Sequence, residues 1–148
     1  MEVQPDFRDL LALFNAHKVD YLIVGGYALA FHGAPRFTGD LDIFVEPDPD
    51  NAQRILEALD EFGFKSSGLT KEDFQSLAKV VQLGVPPVRI DIITSLTGVS
   101  WEEAFSGRKQ GKYGDIPVHY IGLEQFIANK RALGRKRDLA DLEALGED

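Results

Sequence analysis

The chain has 148 residues, of which 44% are hydrophobic and none is cysteine, and its formal net charge is -8. This length predicts one domain with a substantial core, and a chain without cysteine forms no disulfide or thiolate metal site. The acidic excess argues against a broad DNA-binding face, and no apolar run approaches the roughly 20 residues that span a membrane. We expect a cytoplasmic location, because the chain lacks cysteine and an apolar signal core.

The N-terminal half of the chain alternates helical and strand patterns. Helices are indicated by apolar residues three and four positions apart, and strands by short apolar runs or strict alternation. These patterns predict helix, strand, helix, strand and helix over residues 6–17, 20–24, 27–32, 40–46 and 52–62.

The C-terminal half follows the same rules, except that residues 64–77 show no clear pattern. Two strands come first, joined across a Gly-Pro-containing turn. A short helix with capping-box spacing at its start, one more strand and two helices follow. These elements are predicted over residues 79–83, 88–93, 100 onward, 116–121, 123–133 and 137–145.

The order of these elements predicts the fold class. Strands interleaved with helices favour an α/β (α+β) fold, in which helices flank a mixed β-sheet and a helical pair follows at the C-terminus. We expect a single domain over residues 1–148, with a core of about 20–121 and C-terminal helices over 122–145.

Three aspartates lie on two predicted strands. Asp40 and Asp42 share one face of the first, roughly 6 to 7 Å apart along it. Asp91 lies between apolar residues of the second, where an unpaired charge is costly. If these strands are neighbours, the three carboxylates converge, and Mg²⁺ suits such ligands together with phosphates. The simpler interpretation is that Asp40 and Asp42 mark a solvated strand edge.

A glycine pair joins the first buried strand to its helix. Gly25 and Gly26 let the backbone approach a phosphate closely, and the start of a helix offers free N–H groups to an anion. Most glycine pairs are ordinary turns, but only 13 residues separate this one from Asp40. The order of strand, glycine turn, helix and acidic strand favours a phosphate cradle beside a metal-binding pair.

The glycine turn, Asp40 with Asp42, and the separate Asp91 resemble the pattern of the DNA-polymerase-β-like nucleotidyltransferase superfamily. The resemblance covers roughly residues 20–145. More narrowly, three segments are similar to small bacterial and archaeal nucleotidyltransferase-like proteins, some of them partners in toxin–antitoxin systems: residues 34–43, 129–132 and 137–142.

This resemblance implies a nucleotidyltransferase-like fold and transfer of a nucleoside monophosphate from an NTP, such as ATP, to a hydroxyl on RNA, protein or a small molecule. It implies that Asp40 and Asp42 hold two Mg²⁺ ions, which Mn²⁺ could replace. Asp91 would bind the catalytic ion and help to deprotonate the acceptor. The superfamily often has Gly-Ser where this chain has Gly25-Gly26. The difference removes a hydroxyl that can bind a triphosphate, although Gly-Gly also occurs among small members.

Further candidates for nucleotide binding are mostly basic. Lys130 continues the apolar helical stripe of Leu123 and Phe126, so we expect it to face inward. Its ammonium either snorkels to water or, as the resemblance favours, contacts the β- and γ-phosphates. Arg36 either meets a phosphate or the acceptor, or pairs with an acid. Thr38, in the same loop, is either a nucleotide-binding residue or an ordinary turn residue.

Two other functions stay open at this point. The chain could be a non-catalytic, nucleotidyltransferase-like regulator that binds its toxin–antitoxin partner, which the small size and the glycine pair favour. A metal-dependent nuclease would also use clustered carboxylates, but it would not explain the glycine turn. The partners that we expect are an NTP and either a protein partner or an RNA acceptor, with no membrane.

Overall fold

The computed structural model describes residues 3–34, 39–64, 68–85 and 87–147. These residues form a six-stranded sheet, whose strands in chain order are β1 (Tyr21–Val24), β2 (Asp40–Val45), β3 (Val80–Val85), β4 (Val88–Ile93), β5 (Lys109–Tyr113) and β6 (Ile116–Tyr120). Across the sheet the strands lie in the order β3-β4-β2-β1-β6-β5.

The sheet is mixed, as the order of elements predicted. β2 pairs with β4 in parallel and with β1 antiparallel, and β1 pairs with β6 in parallel. The edge strands β3 and β5 are each antiparallel to their neighbour. The sequence pattern does not predict β5, because Tyr113 is its only buried residue and its other positions lack apolar alternation.

Helices flank the sheet, and their end residues explain where they begin and stop. Asp48 caps the third helix, Ser100 and Glu103 form the predicted capping box, and Gly134 ends the sixth helix with a φ of 62°. None of the helices in the described ranges is long and apolar enough to cross a membrane. The helices are α1 (Pro5–Ala16), α2 (Gly25–Phe31), α3 (Pro49–Leu59), α4 (Glu72–Gln75), α5 (Trp101–Ser106), α6 (Leu123–Leu133) and α7 (Lys136–Ala144), with a π-helical segment (Asp60–Phe64) after α3.

Burial on both faces of β2 fixes its register. Leu41 and Ile43 are fully buried on one face, and Phe44 is buried on the other, where its ring packs edge-on against Trp101. A slip of one residue would move every side chain of the strand to the opposite face. The apolar residues of β2 therefore also determine which face carries Asp42.

Candidate active site

β2 and β4 bring four charged side chains to one face of the sheet. Their parallel pairing sets Asp40 opposite Arg89 and Asp42 opposite Asp91. Residues two apart on a strand share a face, so all four side chains point the same way. The two predicted strands are therefore neighbours, and we call their three aspartates the acid cluster (Asp40, Asp42 and Asp91).

Arg89 lies within the acid cluster. Its Nη2 donates hydrogen bonds to Asp40 Oδ2 at 2.6 Å and to Asp91 Oδ2 at 3.2 Å. Its Nε lies 3.2 Å from Asp91 Oδ1, but neither of these buried atoms has a hydrogen-bond partner among the described residues. The guanidinium thus neutralises part of the cluster and leaves one buried carboxylate oxygen without a donor.

Burial and mutual repulsion raise the pKa values of two carboxylates in the cluster. Burial raises the pKa of Asp42 to about 6, with further contributions from the charges of Asp91 and Asp40. Burial also raises the pKa of Asp91, while the charge of Arg89 opposes that change. The nearby positive charge therefore does not fully compensate Asp42 and Asp91, and a further cation here would stabilise their charged forms.

The glycine turn contacts the acid cluster directly. Gly25 begins α2 with a φ of 67°, in the left-handed region that glycine adopts without strain. A Cβ atom at this position would collide with Asp42 Oδ2. Both the backbone conformation and the close approach of the carboxylate thus require glycine here.

A polar cavity of about 340 Å³ joins the glycine turn, the acid cluster and a set of basic side chains. A larger hollow of about 720 Å³ lies beside α1, but its described lining residues are acidic or apolar and include no cation. Of these two cavities, the smaller one combines carboxylates that could bind a metal with cations that could bind phosphates. It is lined by Gly25, Gly26, Asp40, Asp42, Arg89, Asp91, Lys130, Arg135 and Arg137.

Lys130 faces inward, as its helical phase predicted. It is only 9% exposed, and its Nζ lies 3.3 Å from Asp138 Oδ1 and 3.2 Å from Asp141 Oδ2. The ammonium therefore does not snorkel to water. One residue of the predicted inward stripe of α6 differs from the prediction, because Leu123 is 39% exposed. Contact between Lys130 and a nucleotide's phosphates stays a prediction.

Arg135 completes what we call the C-terminal ion network (Lys130, Arg135, Asp138 and Asp141). Its Nε donates to Asp138 Oδ2 at 2.6 Å, and its backbone N–H donates to the same oxygen at 3.1 Å. The hydrogen bond from the Arg135 side chain is the main cause that lowers the pKa of Asp138 to about 2, and Lys130 adds to it. The network joins α6 to the start of α7 and holds Lys130 at the cavity wall.

Three residues of the cavity wall were not among the predicted site residues, namely Arg89, Arg135 and Arg137. Arg89 could have been predicted from the strand period, because it stands two positions before Asp91 and so shares its face. The other two belong to a basic cluster that, by sequence alone, is most simply a solvated helix face. The predicted residues Arg36 and Thr38 lie outside the described residues.

The donor chemistry of the acid cluster fits a divalent metal ion. Three carboxylates line one cavity, and Asp91 Oδ1 is buried without a hydrogen bond to the described residues. Gly25 has no side chain that would occupy the space beside Asp42 Oδ2. These are hard oxygen donors of the kind that Mg²⁺ prefers. In the described part of the chain, no three histidine, cysteine, aspartate or glutamate side chains surround a common metal position. Arg89 instead holds two of the three carboxylates.

Three solved structures share this fold at sequence identities below 20%. A proposed nucleotidyltransferase from Thermotoga maritima is 18% identical with a TM-score of 0.63, and the match covers 96% of this chain and 93% of the other. A lincosamide antibiotic adenylyltransferase with lincomycin bound is 15% identical with a TM-score of 0.56, over 97% and 96%. An antigenic nucleotidyltransferase-like protein from Paracoccidioides brasiliensis is 19% identical with a TM-score of 0.55, over 94% and 72%.

The chain shares its fold with these proteins, and its own carboxylates lie on adjacent strands beside a glycine turn. Residues 8–147 match the sequence model of a family described as "Nucleotidyl transferase AbiEii toxin, Type IV TA system". The chain therefore belongs to the AbiEii nucleotidyl transferase toxin family. No curated protein matches the sequence significantly.

Proposed function

We propose that this protein uses Mg²⁺ to transfer a nucleoside monophosphate from an NTP to a hydroxyl on RNA, protein or a small molecule. One observation carries the proposal. Three carboxylates on β2 and β4 face basic side chains from α6 and the start of α7 across one cavity. A metal-bound triphosphate has the matching charge pattern, because its phosphates need cations and its metals need carboxylates.

In this proposal the acid cluster holds the metal ions. Asp40 and Asp42 would ligate two Mg²⁺ ions, or Mn²⁺ in their place, and Asp91 would ligate the catalytic one. Bound ions of this kind neutralise the triphosphate and favour loss of the acceptor's proton. As the acceptor oxygen forms its bond to the α-phosphorus, the bond to pyrophosphate breaks. Asp91, whose pKa burial raises, would help to remove the acceptor's proton.

Residues around the acid cluster would bind the nucleotide. The backbone at Gly25 and Gly26 would approach the triphosphate, since both residues line the cavity. Lys130 would contact the β- and γ-phosphates from its position on the wall. Arg36 and Thr38, which precede β2 in the sequence, would complete the proposed nucleotide-binding set. ATP is the first nucleotide to test, because one structural neighbour is an adenylyltransferase.

Transfer of a labelled nucleotide tests the reaction. The purified chain is incubated with Mg²⁺, each α-³²P-labelled NTP and candidate RNA, protein or small-molecule acceptors. We expect label on an acceptor with the wild type and with Asp60→Asn, an exposed aspartate outside the cavity, but none with Asp42→Asn. The proposal fails if no NTP binds, or if Asp42→Asn transfers as much label as the wild type.

The family also suggests a biological role, namely that of the toxin in a toxin–antitoxin pair. Induced expression in a bacterial host should arrest growth, and co-expression of the protein encoded beside it should relieve the arrest. We expect Asp42→Asn to abolish the arrest and Asp60→Asn to preserve it. An Asp42→Asn variant that still arrests growth would favour the non-catalytic, partner-binding function instead.

A further inference from the structure

Arg89 differs from the other cations of the cavity in what it contacts. Lys130 and Arg135 are paired with aspartates of the C-terminal ion network. Arg137 has no side-chain ion pair or hydrogen bond to the described residues, and it lines the cavity from the start of α7. Among these four described cations, Arg89 alone contacts carboxylates of the acid cluster.

The contacts of Arg89 use atoms that a metal ion would also need. Its Nη2 lies 2.6 Å from Asp40 Oδ2, a short charge-assisted hydrogen bond, and 3.2 Å from Asp91 Oδ2. A divalent cation bound to the same two carboxylates would compete for their lone pairs. It would also repel the guanidinium, which lies within a few ångströms of the same oxygens.

The strand prevents Arg89 from leaving the site altogether. Its backbone is fixed between two neighbours, because β4 pairs with β2 on one side and β3 on the other. Only the side chain can move, by rotation about its own bonds. The guanidinium is half-buried, with 30% of its side chain exposed, so the open cavity offers it room to move.

We propose that Arg89 competes with the divalent cation for Asp40 and Asp91, and so sets the metal affinity of the site. This inference rests on the proposed function, because it requires the acid cluster to bind metal. Arg89 is then a positioning residue. It holds the carboxylates by its own charge, and metal binding must break its two hydrogen bonds.

Direct metal binding tests the inference without any activity measurement. The full chain is titrated with Mn²⁺, and free Mn²⁺ is measured by electron paramagnetic resonance. We expect Arg89→Gln to lower the Kd for Mn²⁺ about tenfold, the size of one charge-assisted hydrogen bond that metal binding no longer has to break. Arg137→Gln is the matched control, since it removes the same charge from the same cavity without touching a carboxylate. It should change the Kd by no more than about twofold.

Arg89→Lys separates the guanidinium fork from its charge. Lysine keeps the positive charge but has one nitrogen instead of the fork, so its Kd should lie between those of the wild type and Arg89→Gln. This variant also decides the question if thermal melting shows that Arg89→Gln does not fold. The inference is overturned if Arg89→Gln, or Arg89→Lys in its place, binds Mn²⁺ as weakly as the wild type or more weakly.

Asp42→Asn distinguishes this failure from failure of the proposed function. If the wild type binds Mn²⁺ and Asp42→Asn does not, the metal site is established, and an unchanged Kd in Arg89→Gln overturns only the role of Arg89. If the wild type binds no Mn²⁺, or Asp42→Asn binds it equally well, the proposed metal site fails and the inference fails with it.

Discussion

Two groups of aspartates, one lining the cavity and one paired with cations of its wall, have opposite electrostatic surroundings. In the acid cluster, burial and neighbouring carboxylates raise the pKa of Asp42 to about 6. In the C-terminal ion network, hydrogen bonds from Arg135 and Lys130 lower the pKa of Asp138 to about 2. The side chain is of the same type in both places, so the difference comes from its surroundings: burial beside other carboxylates for Asp42, and direct hydrogen bonds from cations for Asp138.

We propose that this difference separates the aspartates that bind metal from the aspartates that stabilise the pair of C-terminal helices. The C-terminal ion network sets two cations against two aspartates, and so it is close to neutral without any ligand. In the acid cluster, Arg89 is the described cation that pairs with the carboxylates, yet the pKa values of Asp42 and Asp91 stay raised, so a further cation would stabilise their charged forms. Natural proteins tolerate such destabilising charge mainly where function needs it. The predictions below test whether the two groups really behave so differently.

The largest expected effect is loss of activity in Asp42→Asn. We expect nucleotidyl transfer to fall by roughly a thousandfold or more, because the variant removes a proposed metal ligand. The free energy of unfolding should be unchanged or higher, since asparagine relieves repulsion within the acid cluster. Label transfer and urea unfolding at pH 7.5 measure the two quantities. If Asp42→Asn is much less stable than the wild type, the acid cluster does not carry destabilising charge.

Replacing Lys130, the central cation of the C-terminal ion network, should instead lower the stability of the folded state. Lys130→Met leaves the buried carboxylates of Asp138 and Asp141 without their ammonium partner, so we expect unfolding to become easier by about 3 kcal/mol. Lys136→Met is the control, because Lys136 is exposed and lies on α7, the helix that carries Asp138 and Asp141. If both variants unfold at the same urea concentration, the network does not stabilise the helical pair.

The pH dependence of stability isolates Asp138. Its pKa is lowered on folding, so its contribution is fully present above the unfolded pKa of about 4 and disappears as the pH falls toward 2. Asp138→Asn should therefore be less stable than the wild type by about 2 kcal/mol at pH 6, and the gap should close between about pH 4 and 2. Urea unfolding at several pH values measures this gap. A gap that is independent of pH would show that Asp138 acts through packing alone.

The N-terminal cap of α5 lies outside both groups of aspartates and shows how much one ordinary local interaction contributes to the unfolding free energy. Ser100 and Glu103 form reciprocal hydrogen bonds at the start of α5. Ser100→Ala should cost about 1 kcal/mol of unfolding free energy, with no effect on transfer. Glu102→Ala, two positions after Ser100 and outside the capping box, should change stability little. A loss of activity in Ser100→Ala would mean that α5 supports the active site more closely than its contacts indicate.

The acid cluster was predictable from the sequence because strand periodicity and apolar burial act together. Asp40 and Asp42 interrupt a strand whose apolar residues fix its register, and Asp91 stands in a second such strand. Predicting that Asp42 lies opposite Asp91 requires the order of strands in the sheet, which local sequence patterns do not contain. Arg89 has the same strand period as Asp91, but nothing in the sequence indicates that its guanidinium turns toward Asp40.

The C-terminal helices show which contacts a local sequence pattern cannot predict. The phase of Lys130 predicted that it faces inward, and the structure confirms it. Its partners Asp138 and Asp141 lie on the next helix, beyond Gly134, so their contact depends on the angle between α6 and α7. Strand β5 was not predicted for another reason, since its residues are mostly polar and exposed and lack the apolar alternation of a half-buried strand.

The most direct test of the central claim is the effect of Mg²⁺ on the stability of three chains. Urea unfolding of the wild type, Asp42→Asn and Asp138→Asn is measured with and without saturating Mg²⁺. A ligand at a hundredfold excess over its Kd adds about 2.7 kcal/mol to the stability of the folded state. We predict a stabilisation of this order in the wild type and in Asp138→Asn, and none in Asp42→Asn. A stabilisation that survives in Asp42→Asn, or that is absent from the wild type, would contradict the assignment of the acid cluster as the metal site.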